Sequence, residues 1–174
     1  MKRIGRYQIR AEIARGGMAA VFSGRDPRFK RDVAIKLLPR EFLHDAAFRA
    51  RFQREAQTIA GLEHAAIVPV HDSGEQEGQP FLVMCLMGGG SLAQRIRQGP
   101  LSMAEAAGVP VHLASGLDYA HSKGIIHRDL KPGNVLFDQF GYAYRSDFGI
   151  AQPHPCSGAA DRRRERHLPS GAGR

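Results

Sequence analysis

The chain lacks the features that mark secreted, membrane-spanning or repetitive proteins. Its 174 residues include two cysteines, Cys85 and Cys156, too few for a disulfide framework and not at metal-binding spacing. The longest apolar run, residues 81–87, is far too short to cross a bilayer. No apolar stretch follows the basic residues 1–3, so no signal peptide is indicated, and no internal repeat is evident. These absences predict a reducing, cytoplasmic setting without a membrane segment.

The composition is that of a soluble globular protein, with 43% hydrophobic and 24% charged residues. The length allows one domain or two small lobes that share a cleft. A net charge of +8 would fit a nucleic-acid binder, but residues 153–174 supply a net +3 from five arginines, Asp161 and Glu165. The remaining charge is scattered and has no interleaved aromatics, so nucleic acid is the less favoured partner and phosphates on a small molecule fit better.

The first half of the chain reads as strands and one helix. Strand-like runs cover residues 7–13, 19–24, 32–38, 67–70 and 81–87, and "HDSGEQEGQP" is interpreted as a turn between the last two. A helical period covers residues 46–62. Residues 88–91, "GGGS", then break the pattern and could link two lobes.

The second half turns helical. Ser102 and Glu105 have the spacing of a capping box, and the helix they open would end near Lys123. Because Gly108 and Pro110 are poor interior residues, the start could instead lie near Val109. Short strands are predicted at residues 124–126, 135–137 and 142–145. Residues after Gln152 show no periodicity, which predicts disorder.

Two charged side chains fall where the pattern predicts apolar ones. In "DVAIKLL" side chains alternate, so Lys36 shares a face with Ala34 and Leu38. In the helix, Glu55 lies on the stripe of apolar positions 48, 52, 59 and 62. A buried carboxylate is costly unless a cation meets it, which favours a Lys36–Glu55 pair facing a ligand phosphate. The alternatives are a lysine that reaches water and a solvated glutamate at the edge of the stripe.

Two loops contain residues suited to phosphate chemistry. In "IARGGMAAVF", Gly16 and Gly17 would let the backbone approach a phosphate, although a Gly-Gly hairpin needs no ligand. "IIHRDLKPGNVLF" places Asp129, Lys131 and Asn134 in one loop between apolar runs. Asp129 can orient a hydroxyl or accept its proton, Lys131 can neutralise a phosphate, and Asn134 offers an oxygen to a hard cation.

A third motif, "DFG", follows thirteen residues after Asn134 and begins at Asp147. A carboxylate and an amide oxygen at neighbouring strand ends suit Mg²⁺, because that ion keeps several waters and takes few protein oxygens.

In this order, the motifs resemble those of the eukaryotic-type (Hanks-type) protein kinases, most closely the bacterial serine/threonine branch, over about residues 7–151. The resemblance implies that Lys36 holds the α- and β-phosphates of ATP, with Glu55 as its helix partner. It makes Asp129 the catalytic base and Asn134 and Asp147 the metal ligands. Lys131 is the feature that favours Ser or Thr over Tyr as the acceptor.

The resemblance also implies an adenine site. The hinge would cover about residues 84–91, where the backbone of Leu86 or Met87 would meet the adenine edge. The residues implied to line the rest of the nucleotide site are Ile13, Ala14, Gly16, Gly17, Val21, Ala34 and Leu136.

The chain departs from the family pattern at three places. Ala14 and Ala19 stand where the phosphate loop usually has glycine, which predicts weakened ATP binding. Cys85 replaces a usually acidic hinge residue, at little cost because backbone groups read the adenine. After Gln152, no Thr and no Ala-Pro-Glu motif follows, so an activation segment and its covering helices are not expected.

The sequence therefore predicts an α+β, protein-kinase-like fold. A complete N-terminal β-rich lobe with one helix (7–87) would precede a truncated, mainly helical large lobe (92–152) and a disordered basic tail (153–174). The implied function is ATP-dependent, Mg²⁺-assisted phosphoryl transfer to protein Ser or Thr, impaired or absent in this chain. The alternative is a non-catalytic, pseudokinase-like ATP-binding or interaction module.

Overall fold

An antiparallel sheet of six strands forms the first part of the structure. The computed structural model describes residues 3–16, 19–38 and 46–148. The strands are β1 (Arg3–Ile4), β2 (Tyr7–Gly16), β3 (Ala19–Asp26), β4 (Arg31–Leu37), β5 (Val70–Gln76) and β6 (Gln79–Cys85), in the order β1-β2-β3-β4-β6-β5. The helix α1 (Ala46–Ala60) lies between β4 and β5 in sequence and packs against β5 and β6.

The central strands of this sheet are buried on both faces, and each face has its own core. The outer core consists of Ile4, Tyr7, Val33, Ile35, Leu37, Phe81 and Val83. The inner core consists of Ala34, Leu38, Phe52, Ala56, Ile59, Leu62, Ile67, Val68, Leu82, Met84, Ala120 and Phe148. The predicted alternation around Lys36 is thereby confirmed, because Val33 and Ala34 enter different cores.

The predicted turn over residues 71–80 is wrong, since most of it is strand. Asp72 pairs with Val83 and Gln76 with Gln79, so only Glu77 and Gly78 form the turn. Both have positive φ, 51° and 79°, as a two-residue turn that matches the strand twist requires. The polar residues of β5 are compatible with a strand because it lies at the sheet edge. The predicted strand at 67–70 reduces to an isolated bridge at Ile67, and Val70 begins β5.

Helix α1 ends two residues before the predicted limit of 62. Its buried face contains Phe52, Ala56 and Ile59, whereas Glu55 is half-buried beside them. Glu55 thus lies at the border of the buried face, between the core-facing position and the solvated edge that the sequence left open. Phe48, the first residue of the predicted stripe, lies outside the side chains that the structure describes.

The second part of the structure is mainly helical. It contains α2 (Leu92–Gln98), α3 (Met103–Ser122), a single 3-10 turn (Pro132–Asn134), and a hairpin of β7 (Val135–Phe137) and β8 (Ala143–Arg145). The predicted capping box at the start of α3 is confirmed, with reciprocal bonds between Ser102 and Glu105. A start near Val109 is wrong, and the exposed Pro110 is accommodated inside the helix.

The strand predicted at residues 124–126 is wrong, because Gly124 and Ile125 form the C-terminal cap that follows α3. The amide of Ile125 donates to the carbonyl of Ala120 over 2.9 Å, and that of Gly124 donates to His121 over 2.9 Å. Gly124 has φ +75°, as this C-terminal motif requires. The strand at 135–137 is confirmed. The second strand, β8, begins one residue later than predicted, because the Tyr142 amide donates to the Asp138 carboxylate in the turn. Residues 153–174, where disorder is predicted, lie outside the described residues.

Candidate active site

Asp129 lies on the loop after α3, where its carboxylate is held by two neighbours. The Nδ2 atom of Asn134 donates to the carboxylate and to the backbone carbonyl of Asp129, both over 2.9 Å. The Lys131 Nζ lies 2.6 Å from Oδ2 of the same carboxylate. The bond from Lys131, and next that from Asn134, holds the pKa of Asp129 below its ordinary value despite some desolvation. Asp129 is therefore ionised near neutral pH and can accept a hydrogen bond.

His127 connects this loop to the residue before Asp147. Its buried ring accepts the Asp129 amide at Nδ1 over 3.3 Å and donates from Nε2 to the carbonyl of Ser146 over 2.7 Å. These partners define a neutral ring with its proton on Nε2, and burial lowers its pKa. The Ser146 amide in turn donates to the carbonyl of Asn134 over 2.9 Å. The two candidate metal-ligand segments are thus joined by backbone bonds.

Asp147 meets a lysine from the sheet. The Lys36 Nζ lies 2.8 Å from its Oδ1, with the lysine side chain only 13% exposed. Asp147 has φ +59° and Arg128 has φ +63°, a left-handed backbone that is uncommon for non-glycine residues and concentrates at functional sites. Sequence reasoning placed Lys36 and Asp147 in one site but missed their direct contact.

Glu55 borders the same region from α1. It lines a cavity of about 180 Å³ together with Arg54, Ile59, Arg128 and Phe148. The ammonium of Lys36 has three donors, so its contact with Asp147 leaves others for a carboxylate. The Lys36–Glu55 pair stays a prediction.

The predicted adenine site has apolar walls. Val21, Ala34 and Leu136 all belong to or pack against the inner core. Leu86 and Met87 follow β6, and no backbone bond joins them to the rest of the described chain. The Leu86 carbonyl accepts the Cys85 thiol over 4.0 Å, and the backbone groups of Met87 have no backbone partner among the described residues.

The backbone of the hinge approaches β7 closely. The Gly89 amide donates to the carbonyl of Phe137 over 2.8 Å. A β-carbon at Gly89 would lie in severe clash with the carbonyl of Asp138, so only glycine fits. Cys85, half-buried beside this segment, has its thiol pKa raised by burial and stays protonated.

The predicted phosphate loop is described in part. Gly16 ends β2 and pairs with Ala19, and Ala14 pairs with Val21 across the ladder. Ile13 is 52% exposed. Gly17 lies outside the described residues, so its predicted role stays a prediction.

Asn134 and Asp147 fit a magnesium ion by donor chemistry. The two bonds from Asn134 Nδ2 to Asp129 fix the amide, leaving Oδ1 as its acceptor for a cation. No cluster of three or more His, Cys, Asp or Glu side chains suited to a metal occurs in the described ranges. Mg²⁺ needs few protein oxygens when phosphates and water supply the others, so this pair suits it.

A lysine of a twisted sheet that meets an aspartate beyond the hinge is the arrangement of a protein kinase. A family comparison leads to the same class: the model for the protein kinase domain matches residues 7–162. The chain belongs to this family.

The chain is similar to curated bacterial serine/threonine kinases. The chain is 44% identical over 149 residues to the serine/threonine-protein kinase PknD and 43% identical over 148 residues to PknE, both of Mycobacterium tuberculosis. These alignments cover 85% and 84% of this chain but only 22% and 26% of the relatives. The chain therefore spans about a quarter of the length of these relatives.

Solved structures confirm the fold. The crystal structure of the PknI kinase domain of Mycobacterium tuberculosis is similar with a TM-score of 0.76 and 32% identity, covering 86% of this chain and 62% of that chain. The predicted protein-kinase-like fold is confirmed. No helix in the described part of the chain has the length and apolar character needed to cross a membrane.

Proposed function

We propose that this chain binds ATP with Mg²⁺ and transfers the terminal phosphoryl group to a Ser or Thr of a protein. One observation carries the proposal: contacts connect Lys36 of the sheet to three residues beyond the hinge. Lys36 contacts Asp147, the neighbouring Ser146 is bonded to Asn134 and to His127, and Asn134 is bonded to Asp129. A cation for phosphate, two oxygen ligands and an ionised acceptor are the parts that phosphoryl transfer requires, since catalysis is mostly positioning and charge stabilisation.

Each side chain has a role that its contacts support. The carboxylate of Asp129 would orient the acceptor hydroxyl and take its proton, while Lys131, 2.6 Å away, would neutralise charge on the transferred group. Lys36 would bind the phosphates, and Asn134 and Asp147 would hold the ion. When bound, Mg²⁺ neutralises phosphate charge.

A second candidate is a non-catalytic ATP-binding module. Ala14 and Ala19 pair with Val21 and Gly16 in the β2–β3 ladder, where their β-carbons restrict how closely the backbone can approach a phosphate. Weak phosphate contacts would favour binding without turnover.

Two measurements test the proposal and separate the candidates. Thermal unfolding with Mg²⁺-ATP should show a nucleotide-dependent shift that Lys36→Ala removes and the matched Lys123→Ala, at an exposed lysine, retains. Incubation with ATP, Mg²⁺ and a generic basic protein should give phosphate incorporation that Asp129→Asn lowers by about 100-fold or more.

The outcomes differ for the two candidates. A shift without incorporation supports the non-catalytic module. Incorporation that Asp129→Asn leaves intact refutes the assigned base, and the absence of any shift refutes both candidates.

A further inference from the structure

The segment that connects the hinge to α2 pairs with β7 through its backbone. The Gly89 amide donates to the carbonyl of Phe137, and the Phe137 amide donates to the carbonyl of Gly90, both over 2.8 Å. Ser91 forms an isolated antiparallel bridge with Leu136. We call this set of contacts the linker–β7 pairing.

The pairing requires glycine at position 89 because of the space there. A β-carbon at Gly89 would lie 2.9 Å from both the carbonyl oxygen and the β-carbon of Phe137, and it would overlap the carbonyl oxygen of Asp138. Rotation of a side chain cannot relieve these contacts. Gly88 is exposed, and a β-carbon there would meet no atom within 4 Å. Neither glycine has a positive φ, so the two neighbours differ in space alone.

The strand β7 is held too firmly to move away from a side chain at position 89. Val135 and Phe137 are 3% and 1% exposed, and they belong to one buried cluster with Leu113. The guanidinium carbon of Arg95 lies 3.5 Å from the centroid of the Phe137 ring. Displacement of β7 would break this close packing, whereas the linker before position 89 is exposed. A side chain there would therefore displace the linker.

The pairing also connects two sides of the candidate adenine site. Met87, two residues before Gly89, belongs to the hinge, and its backbone groups have no backbone partner among the described residues. Leu136, the residue before Phe137, packs against the inner core and forms an apolar wall of the same site. The bond between Gly89 and Phe137 therefore fixes how far the hinge backbone lies from this wall.

We infer that Gly89 is a positioning residue for the adenine of ATP, an inference that rests on the proposed function. Its missing side chain lets the linker lie against β7, which holds the hinge backbone and Leu136 at the separation that a base fills. A gap of about 0.5–1 Å already loses roughly a quarter to a half of the van der Waals attraction between two surfaces. Lys36 and Asp147, proposed for the phosphates and the ion, belong to other segments and should keep their places.

The first test is a titration with a fluorescent ATP analogue, labelled on the ribose, in the presence of Mg²⁺. Gly89→Ala should raise the Kd by about tenfold, because the displaced linker carries the hinge backbone away from the base. Gly88→Ala is the matched control and should change the Kd by less than about twofold, because its β-carbon meets open space.

Displacement of the bound analogue then separates the two ends of the ligand. Adenosine contains the base without phosphates, and inorganic tripolyphosphate contains phosphates without the base. In Gly89→Ala, adenosine should bind about tenfold more weakly than to the wild type, and tripolyphosphate should change by less than about twofold. A general loss of structure would weaken both ligands alike.

Amide hydrogen exchange of the wild type tests the pairing without any variant. The Gly89 amide is bonded to Phe137, so it should be protected from exchange at least about tenfold more than the Met87 amide. Addition of Mg²⁺-ATP should slow the exchange of the Met87 amide and leave that of Gly89 unchanged.

Each other result overturns the inference. Equal weakening by the two glycine variants would mean that the linker needs only flexibility, and equal loss of adenosine and tripolyphosphate would mean a general distortion. An unchanged Kd in Gly89→Ala, or a Gly89 amide that exchanges as fast as that of Met87, would also refute it.

The wild type tests the proposed function separately. A chain that binds ATP with the expected dependence on Gly89 but transfers no phosphoryl group refutes the proposed activity and supports the inference. A chain that binds no nucleotide refutes both.

Discussion

His127 shows how a single side chain organises the candidate site. Its two nitrogens have different partners: Nε2 donates to the carbonyl of Ser146, and Nδ1 accepts the amide of Asp129, which only the neutral ring can do. The ring also lies 4.7 Å from that of Phe148. The histidine therefore acts through its position, holding together the loop of the candidate base and the segment that ends in Asp147.

The depressed pKa of His127 predicts a loss of stability in mild acid. The unfolded chain takes up the proton near the ordinary histidine value of 6.5, while the folded chain takes it up only at lower pH. The free energy of unfolding should therefore be constant above this value and fall as the pH drops below it, by up to about 1.4 kcal/mol per pH unit. Urea unfolding at several pH values between 7.5 and 5 would measure this slope.

His127→Gln keeps a donor for Ser146 without titrating, so its slope should be shallower. Some slope should remain because burial also lowers the pKa of His71. His121→Gln, at an exposed position on α3, is the matched control and should retain the full slope. An unchanged slope in His127→Gln would contradict the assignment.

Motif chemistry placed Asp129, Lys131 and Asn134 in one loop, where the structure shows them in contact, but contacts that depend on burial were not predictable. The contact of Lys36 with Asp147 joins residues 111 positions apart, and only the folded chain brings them together. Arg145 is 4% exposed, its Nε has no partner in the described chain, and burial lowers its pKa. The sequence gives no signal for this burial, since a charged residue in a short strand is ordinarily solvated.

Among the helices and strands, local signals succeeded where a single motif sets the boundary. The Ser102–Glu105 capping box located the start of α3, and alternation located β4. Prediction failed at β5, whose polar residues read as a turn because strand formation there depends on pairing with β6. Prediction also failed at Gly124 and Ile125, because these residues read as part of a strand although they form the C-terminal cap of α3.

Pro110 should limit the stability of α3. It has no N–H to donate to the carbonyl one turn earlier, and it lies exposed inside the helix. Pro110→Ala should therefore raise the free energy of unfolding by about 1–3 kcal/mol. Gly108→Ala, at another exposed position of α3, is the control and should raise the free energy of unfolding by about 1 kcal/mol. Urea unfolding measures both, and a Pro110→Ala gain no larger than that of the control would contradict the expected cost of the proline.

The molecule as a whole is held together by the inner core. This core joins side chains from β4, α1, β6 and α3 with Phe148, which is 4% exposed. The outer core, in contrast, contains only residues of the sheet. The sheet and the helical part are thus packed through shared apolar side chains as well as through the hinge.

Removing Phe148 should therefore destabilise the whole described structure. Phe148→Ala should lower the free energy of unfolding by about 3–5 kcal/mol, because it leaves a cavity in the inner core. Phe140→Ala, at a residue 77% exposed in the β7–β8 turn, should change it by less than about 0.5 kcal/mol.

Far-UV and near-UV circular dichroism during urea unfolding would show whether the loss is global. Both signals should shift together in Phe148→Ala. If the two signals instead changed at different urea concentrations, the inner core would not couple the sheet to the helical part.

The sequence positions of the two cores have a consequence for synthesis on the ribosome. Every residue of the outer core lies between Ile4 and Val83, whereas the inner core also needs Ala120 and Phe148. A nascent chain can therefore form its outer core before its inner core is complete. During that time Ala34, Leu38 and Leu82 on the inner face remain accessible to water. Until Phe148 has emerged, that face is a surface to which chaperones can bind.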